Sequence, residues 1–370
     1  MVASSRRRRV ALIPGDGIGV EVAESARAVL ATLDRLHGLG LEVEEFDWSC
    51  ERYHTHGTLM PDDGLVTLAA HDAVLLGAVG WPGVPDHVSL WGLLIPIRRA
   101  FQQYVNLRPV RSFEGVSGPL AGGASRRIDL VIVRENTEGE YSEVGGRFGR
   151  GTEQEMAVQE AVFTRRGISR VADYALELAG TRRGQVTSAT KSNGLIHSMP
   201  FWDEVVQERA SECPDITLAS EHIDALAAKL VLRPEQYDVI VASNLFGDIL
   251  SDLAAGVTGS IGIAPSANLD PTGRHPSMFE PVHGSAPDIA GQGLANPVGM
   301  LWSVSLMLSQ LDAPQSAAAL MEAIESTLAK PSTRTPDVQG TATTNGVTKA
   351  VITTLENPTS HDRDSEEEHA

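Results

Sequence analysis

Short apolar, β-branched runs alternate along the chain with longer stretches whose apolar residues recur every three or four positions. Residues 10–13, 73–76, 128–133 and 239–242 are almost uninterrupted apolar runs, the signature of strands buried on both faces, and the short, partly polar run 186–189 repeats the theme. Residues 19–36, 158–179, 200–212 and 295–311 read as helices. Strand alternating with helix predicts an α/β fold. Two stretches interrupt the alternation. Residues 143–153 are rich in glycine and arginine and poor in aromatics, and read either as an exposed hairpin arm of the kind used in dimerisation or as a plain surface loop. Residues 260–281 hold Pro265, Pro271, Pro276 and Pro281, a density that predicts a long loop rather than a continuous element. With no internal repeat and no Pro- or Ser-rich linker, any two domains are expected to interleave along the sequence.

The chain has 370 residues, 42% of them hydrophobic, enough for a large core and incompatible with a disordered protein. Thirty basic against 48 acidic residues give a formal charge of -18, which argues against a nucleic-acid partner because phosphate neutralisation needs a basic face. Cys50 and Cys213 form neither a disulfide framework nor a C-x-x-C pair, so a reducing, cytoplasmic setting is expected. Arg6 to Arg9 precede only a short apolar run, unlike a signal peptide, and no window of about 18 apolar residues predicts a membrane span. The acid-rich C-terminal segment reads as a disordered, solvated tail.

Several motifs carry candidate chemistry. IPGDGIG follows a strand and opens a helix, but Gly15, Gly17 and Gly19 run as G-x-G-x-G, which misses the dinucleotide fingerprint; a glycine-permissive turn explains it as well. In SNLFGDILSDL, Asp248 and Asp252 stand four residues apart, so on a helix two unpaired carboxylates project from one face about 6 Å apart. That suits a hard divalent cation, although an isolated D-x-x-x-D fits a solvated helix face too. Arg134 stands just after the strand IDLVIV, where α/β sheets place ligands, and Arg98 and Arg108 lie on either side of FQQYVNL. Each alone reads as a surface ion pair, but convergence of the three would mean an acidic substrate. Tyr141 in EGEYS could have its pKa lowered by such arginines and act as a proton donor, or simply pack as an aromatic. Lys191 in SATKSNG could serve as a base near a metal, or lie exposed. The histidines show no zinc spacing, and neither a G-x-S-x-G elbow nor a Walker loop appears.

In order, IPGDGIGVEV (13–22), NLRPVR (106–111), VRENTEGEYSEVGGR (133–147), SNLFGDILSDL (243–253) and PSMFEPVHGSAPDIAGQGLANPVG (276–299) resemble signatures of the isocitrate and isopropylmalate dehydrogenase superfamily. The resemblance runs from about residue 9 to 355 and is strongest to the tartrate/D-malate dehydrogenase (decarboxylating) branch. It implies two interleaved α/β domains around a mixed twisted sheet: a large cofactor domain of residues 1–104 and 260–355, and a small substrate and dimerisation domain of 105–259 with an arm near 143–165, followed by a tail at 356–370.

By the same resemblance, Arg98, Arg108 and Arg134 would hold substrate carboxylates, and Asp248 and Asp252 would ligate Mg²⁺ or Mn²⁺ together with Asp224 from a partner subunit. Lys191, also from the partner, would be the base and Tyr141 the proton donor, implying a homodimer with shared active sites. NAD would bind outside any Rossmann turn, on His283, Gly284, Ser285, Ala286, Asp288 and Ile289 with Asn296, and the acid at Asp288 favours NAD over NADP. A potassium ion is left open as an additional cofactor. Residues 77–101 resemble the tartrate/D-malate branch, with Trp91 where isopropylmalate enzymes carry an acid; Leu94 falls where those enzymes contact the isopropyl group. The implied reaction is oxidation and decarboxylation of a C4 2-hydroxy diacid, D-malate to pyruvate and CO₂ or the oxidation of tartrate. The alternatives are a 3-isopropylmalate dehydrogenase, a non-catalytic regulatory subunit and a scaffold whose motifs are structural.

Overall fold

The computed structural model describes residues 7–120 and 127–357, so Arg6 and residues 358–370 of the expected tail lie outside the described residues. The chain begins with β1 (Arg8–Gly15), β2 (Leu41–Glu45) and β3 (Ala73–Ala78). Its middle supplies β4 (Val105–Arg111), β5 (Asp129–Glu135), β6 (Gly145–Phe148), β7 (Met156–Gln159), β8 (Gln185–Thr190), β9 (Thr217–His222) and β10 (Val239–Ala242). The last two strands are β11 (Pro265–Leu269) and β12 (Ser277–Pro281). Ten of these form one mixed sheet in the order β2, β1, β3, β12, β11, β4, β5, β10, β8, β9, the α/β architecture expected. From β2 to β12 neighbours are parallel, as they are from β5 to β9. Three antiparallel steps, from β12 through β11 and β4 to β5, join the two wings.

Helices cover both faces. They are α1 (Ile18–His37), α2 (Cys50–His56), α3 (Gly64–Leu68), α4 (Asp86–Ser89), α5 (Ile95–Ala100), α6 (Arg165–Gly180), α7 (Ser198–Ser211) and α8 (Ile223–Leu232). After these come α9 (Asn244–Thr258), α10 (Val298–Gln310), α11 (Pro314–Leu328) and α12 (Thr344–Glu356). Side-chain alternation divides the core: Val10 and Leu12 join the large hydrophobic cluster, while Ala11 and Ile13 join a second one containing Trp48, Leu93, Leu94 and Ile97. Among the described residues no helix is long and apolar enough to cross a membrane.

Three expectations are corrected. Residues 260–281 are not a long loop: they contain β11 and β12 at the heart of the sheet. The prolines fit because Pro265 opens one strand, Pro281 closes the other directly opposite it, and Pro271 and Pro276 lie in the connection. The helix expected over 158–179 begins only at Arg165, where the Thr164 hydroxyl caps the Gly167 amide; residues 156–159 instead form β7, paired with β6 in the exposed two-stranded hairpin that was one reading of 143–153. Glu356 closes α12 rather than opening the tail.

Candidate functional site

Residues directly opposite one another in paired strands share a face, so the antiparallel centre of the sheet generates a row of polar side chains. Glu280 faces Ser266, Asn268 faces Asn106, and Asn106 faces Arg134. The alternate positions Ala267, Leu107 and Val133 turn to the hydrophobic core. All of these polar residues are buried, and all but Arg134 find partners within the row. Asn106 Nδ2 donates to Ser266 Oγ (2.8 Å) and Asn268 Oδ1 (2.9 Å), and Asn268 Nδ2 donates to Glu280 Oε1 (2.8 Å). Asn136 Nδ2 also donates to Asn268 Oδ1, at 2.9 Å.

Three arginines rest on this row. A π-helical turn, Leu90–Leu94, leads into α5, whose Pro96 lies in the first turn where its missing N–H costs nothing. Leu93, Leu94 and Ile97 bury that segment in the second core cluster, and Arg98 reaches Glu280 Oε1 at 2.7 Å. Arg108 Nε donates to Asn106 Oδ1 (2.7 Å) and its Nη1 to Ser251 Oγ (2.5 Å). Arg134 Nε and Nη2 both donate to Asn244 Oδ1, at 3.1 and 2.7 Å.

Helix α9 brings the acids to the arginines. Ser243 caps its N-terminus, and Glu140 holds that end by accepting from Ser243 Oγ (2.7 Å) and the Leu245 amide (3.1 Å). At Gly247 a Cβ would stand 2.6 Å from Arg134 Cβ and Cγ, so only glycine lets α9 lie this close to β5. Asp248 accepts from Arg134 Nη1, lies 3.4 Å from Arg108 Nη1, and accepts from the Tyr141 hydroxyl at 3.0 Å. Asp252 Oδ1 lies 3.5 Å from the same Arg108 nitrogen.

Asp248 and Asp252 therefore share a face as expected, but they are not unpaired: two of the three arginines expected to hold substrate, Arg108 and Arg134, hold Asp248 instead. Burial raises the Asp248 pKa, yet Arg134 and Arg108 outweigh it and hold the carboxyl below its ordinary value. Asp252, reached only by Arg108, is pushed up by burial and by Asp248. Burial pushes both the Arg108 and Arg134 guanidinium groups down, and each feels neighbouring arginines. A lowered Tyr141 pKa is also corrected. Burial and then the charge of Asp248 raise it, more than Arg134, whose guanidinium carbon lies 5.7 Å from the ring centre, can offset.

Two neighbouring all-oxygen donors of like charge, one still raised in pKa, fit a hard divalent cation. Among the described residues no group of three metal-binding side chains occurs. The expected third ligand, Asp224, lies in the first turn of α8 and pairs with Lys191 Nζ at 2.7 Å. Hydrogen bonding from Lys191 lowers its pKa.

The segment expected to take NAD packs on the start of α1. Gly17, at φ +59°, allows the Ile18 amide to donate to Ser285 O (2.8 Å); a Cβ on Gly17 would lie 2.0 Å from that oxygen. A protein carbonyl thus occupies this helix amide, and Asp16 in the turn accepts from the Cys50 and Gly80 amides, which makes the G-x-G-x-G turn structural. His283 Nδ1 lies 2.9 Å from Gly284 O, an acceptor, so Nδ1 carries the proton; Nε2 is then a buried acceptor with no partner. Burial pushes the His283 pKa down, keeping the ring neutral. With Gly284 opening onto free space and Asp288 exposed, this unspent acceptor fits a ligand rich in amino and hydroxyl donors, such as adenosine. The Asn296 amide is already engaged, accepting from Val298 N and donating to Asp337 Oδ2, each at 3.0 Å. Ala286 has a strained φ of +38°, and Ile289 N donates back to its carbonyl (3.2 Å).

Trp91, Tyr141 and Leu245 line a cavity of about 680 Å³ beside the arginine cluster, whereas Leu94 is buried in the second core cluster. Sequence reasoning missed Asn106, Ser266, Asn268, Glu280, Asn244 and Glu140. The signal for the row was there, in the two-residue spacing of Asn106 and Arg108 and of Ser266 and Asn268, but the prolines hid the second strand.

The isocitrate/isopropylmalate dehydrogenase family model matches residues 9–352. A probable tartrate dehydrogenase/decarboxylase of Bacillus subtilis (strain 168) is 53% identical over 348 residues, covering 94% of this chain and 97% of its own. A D-malate dehydrogenase [decarboxylating] of Escherichia coli (strain K12) is 54% identical over 351 residues, covering 93% and 97%. The crystal structure of isocitrate dehydrogenase from Methylococcus capsulatus superposes with a TM-score of 0.86 at 32% identity, covering 94% of this chain and 99% of that one.

Proposed function

The chain belongs to the isocitrate/isopropylmalate dehydrogenase family, and on that premise we propose that it oxidises and decarboxylates a C4 2-hydroxy diacid, D-malate or tartrate, with NAD as acceptor and Mg²⁺ or Mn²⁺ as cofactor. The names of its relatives point to that substrate class. The observation that carries the reading is the gathering of Arg98, Arg108 and Arg134 around one acidic pair: Arg108 and Arg134 both pair with Asp248, and Arg98, anchored on Glu280, lies near enough for its charge to lower the Asp248 pKa as well.

A diacid arriving at this cluster meets guanidinium groups already desolvated and oriented by Asn106, Ser251, Asn244 and Glu280, so little reorganisation is needed to accept its carboxylates. Arg108 and Arg134 would exchange Asp248 for substrate oxygens and leave Asp248 and Asp252 to the cation. When bound there, with the partner subunit's Asp224, the divalent ion supplies Lewis acidity to the hydroxyl and its carboxylate and stabilises the negative charge left as CO₂ departs. Residues 283–290 would hold NAD, which would supply the hydride acceptor. Tyr141, kept protonated by its raised pKa, suits the return of a proton to the carbon that loses CO₂. Lys191 would take the hydroxyl proton. Lys191, just past the end of β8, and Asp224, just past the end of the neighbouring parallel β9, pair with each other, which supports their being delivered together by the second subunit of a homodimer.

The test is NADH formation by purified protein with Mn²⁺, offering D-malate, the tartrate isomers and 3-isopropylmalate in parallel, and NADP in place of NAD. Turnover of D-malate or tartrate with NAD is expected. Preference for isopropylmalate would overturn the substrate, preference for NADP the cofactor, and inactivity on all substrates the catalytic reading.

A further inference from the structure

Away from the residues already discussed, a cavity of about 360 Å³ opens where Tyr104, ahead of β4, meets Arg166 and Arg170 of α6 and the β11–β12 connection carrying Asp270, Arg274 and His275. Its charge runs against the composition of a chain at -18. The lining carboxylate, Asp270, is buried and spent on its own turn: Oδ1 accepts from the Thr272 amide and hydroxyl, and Oδ2 from the Arg274 and His275 amides. Among the described residues neither Arg166 nor Arg274 forms an ion pair with a carboxylate. Arg170 lies over the Tyr104 ring, 4.3 Å from its centre, and its Nε is buried without a partner. At the start of α6 the acids are already committed, Glu138 to the Thr164 amide and hydroxyl and Glu204 and Glu208 to Arg165, so none of them neutralises Arg166.

The cavity also abuts the substrate cluster. Arg170 Nη2 donates to Thr137 Oγ1, Arg170 lies 3.5 Å from Glu135 Oε1, and the Tyr104 carbonyl accepts from the Asn136 amide at 3.1 Å. Residues 135–137 directly follow Arg134.

We propose that this cavity is an effector site for a small oxyanion, bound by Arg166, Arg170 and Arg274, whose occupancy is transmitted to Arg134 through residues 135–137. Phosphoryl and carboxylate oxygens present the same acceptor geometry to a guanidinium fork. A bound anion would compete with Thr137 and Glu135 for Arg170 and so release or tighten the strand end that carries Arg134. The binding half stands on its own residues; the coupling half rests on Arg134 being a substrate arginine.

The experiment is calorimetric titration of the full-length protein with inorganic pyrophosphate and, separately, with citrate, comparing wild type, Arg166→Ala/Arg274→Ala and Arg134→Ala. At least one probe should bind wild type and Arg134→Ala, and weaken about ten-fold or more in the double variant, whose melting temperature should be unchanged because both side chains are exposed. Which probe binds identifies the anion chemistry. Failure of both to bind, or binding lost in Arg134→Ala but kept in the double variant, overturns the site. The bound probe should also shift KM for the diacid in wild type and not in the double variant, whose kinetics without probe should match wild type. An equal shift in both, or none, overturns the coupling. Inactivity towards every diacid would sink the proposed reaction while leaving the calorimetric test of the anion site intact.

Discussion

Asn244 is the acceptor on which Arg134 depends; replacing it with leucine removes that acceptor together with the donation from Asn244 Nδ2 to the Glu138 carbonyl (3.1 Å), which a double-mutant cycle with Arg134 subtracts. The side chain is nearly isosteric but accepts nothing, so two N–H groups of a guanidinium that is 2% exposed lose their partner at once. Hydrogen bonds to charged groups contribute about 1.5–3 kcal/mol each; since Arg134 Nη1 keeps Asp248, a total loss of about 3 kcal/mol is expected. That is roughly a 150-fold change in the unfolding constant. Chemical denaturation should show it as a lower midpoint at unchanged slope. Arg134→Met, made alone and together with Asn244→Leu, closes a double-mutant cycle with an expected coupling above about 1.5 kcal/mol, because in the double variant no buried guanidinium remains to be stranded. A destabilisation below about 0.5 kcal/mol, or strictly additive variants, would refute the claim that Asn244 holds Arg134 in a dry site.

Gly17→Ala should cost more than about 2 kcal/mol of stability and raise KM for NAD, since it combines a positive φ with a Cβ 2.0 Å from Ser285 O; denaturation and steady-state kinetics read both. His283 sets a pH limit: its folded pKa lies below the ordinary 6.5, so its contribution to stability is full above that value and is lost as pH falls through the folded pKa. In His283→Asn the denaturation midpoint should fall less on acidification from about pH 7 to about pH 5. Mn²⁺ at a hundred-fold excess over its Kd should stabilise wild type by about 2.7 kcal/mol, and Asp252→Asn should remove most of the rise in melting temperature.

How much was legible in the sequence depended on whether the signal was local. Residues 239–242 needed only their apolar run to be placed, and α1 only its periodicity and the glycine turn before it. Asp248 and Asp252 shared a helix face because four-residue spacing requires it. What escaped depended on partners distant in sequence. The four prolines of 260–281 argue for a loop until strands on both sides show that each occupies an end or a turn. The Tyr141 pKa went the other way because the motif shows the arginines nearby but neither the burial of the hydroxyl nor the carboxylate it meets. The polar row follows from cross-strand register, which no single segment contains.

The placement of β11 and β12 between β3 and β4 bears on biosynthesis. A nascent chain makes β3 and β4 early, but the two strands that join them are not complete until Pro281 has been translated. Until then β3 and β4 each present an open edge, the type of surface that recruits other chains. Ribosomal release short of that point would leave two half-sheets without the strands carrying Asn268 and Glu280, so the interval between residues 111 and 281 is when the chain most needs shielding by chaperones.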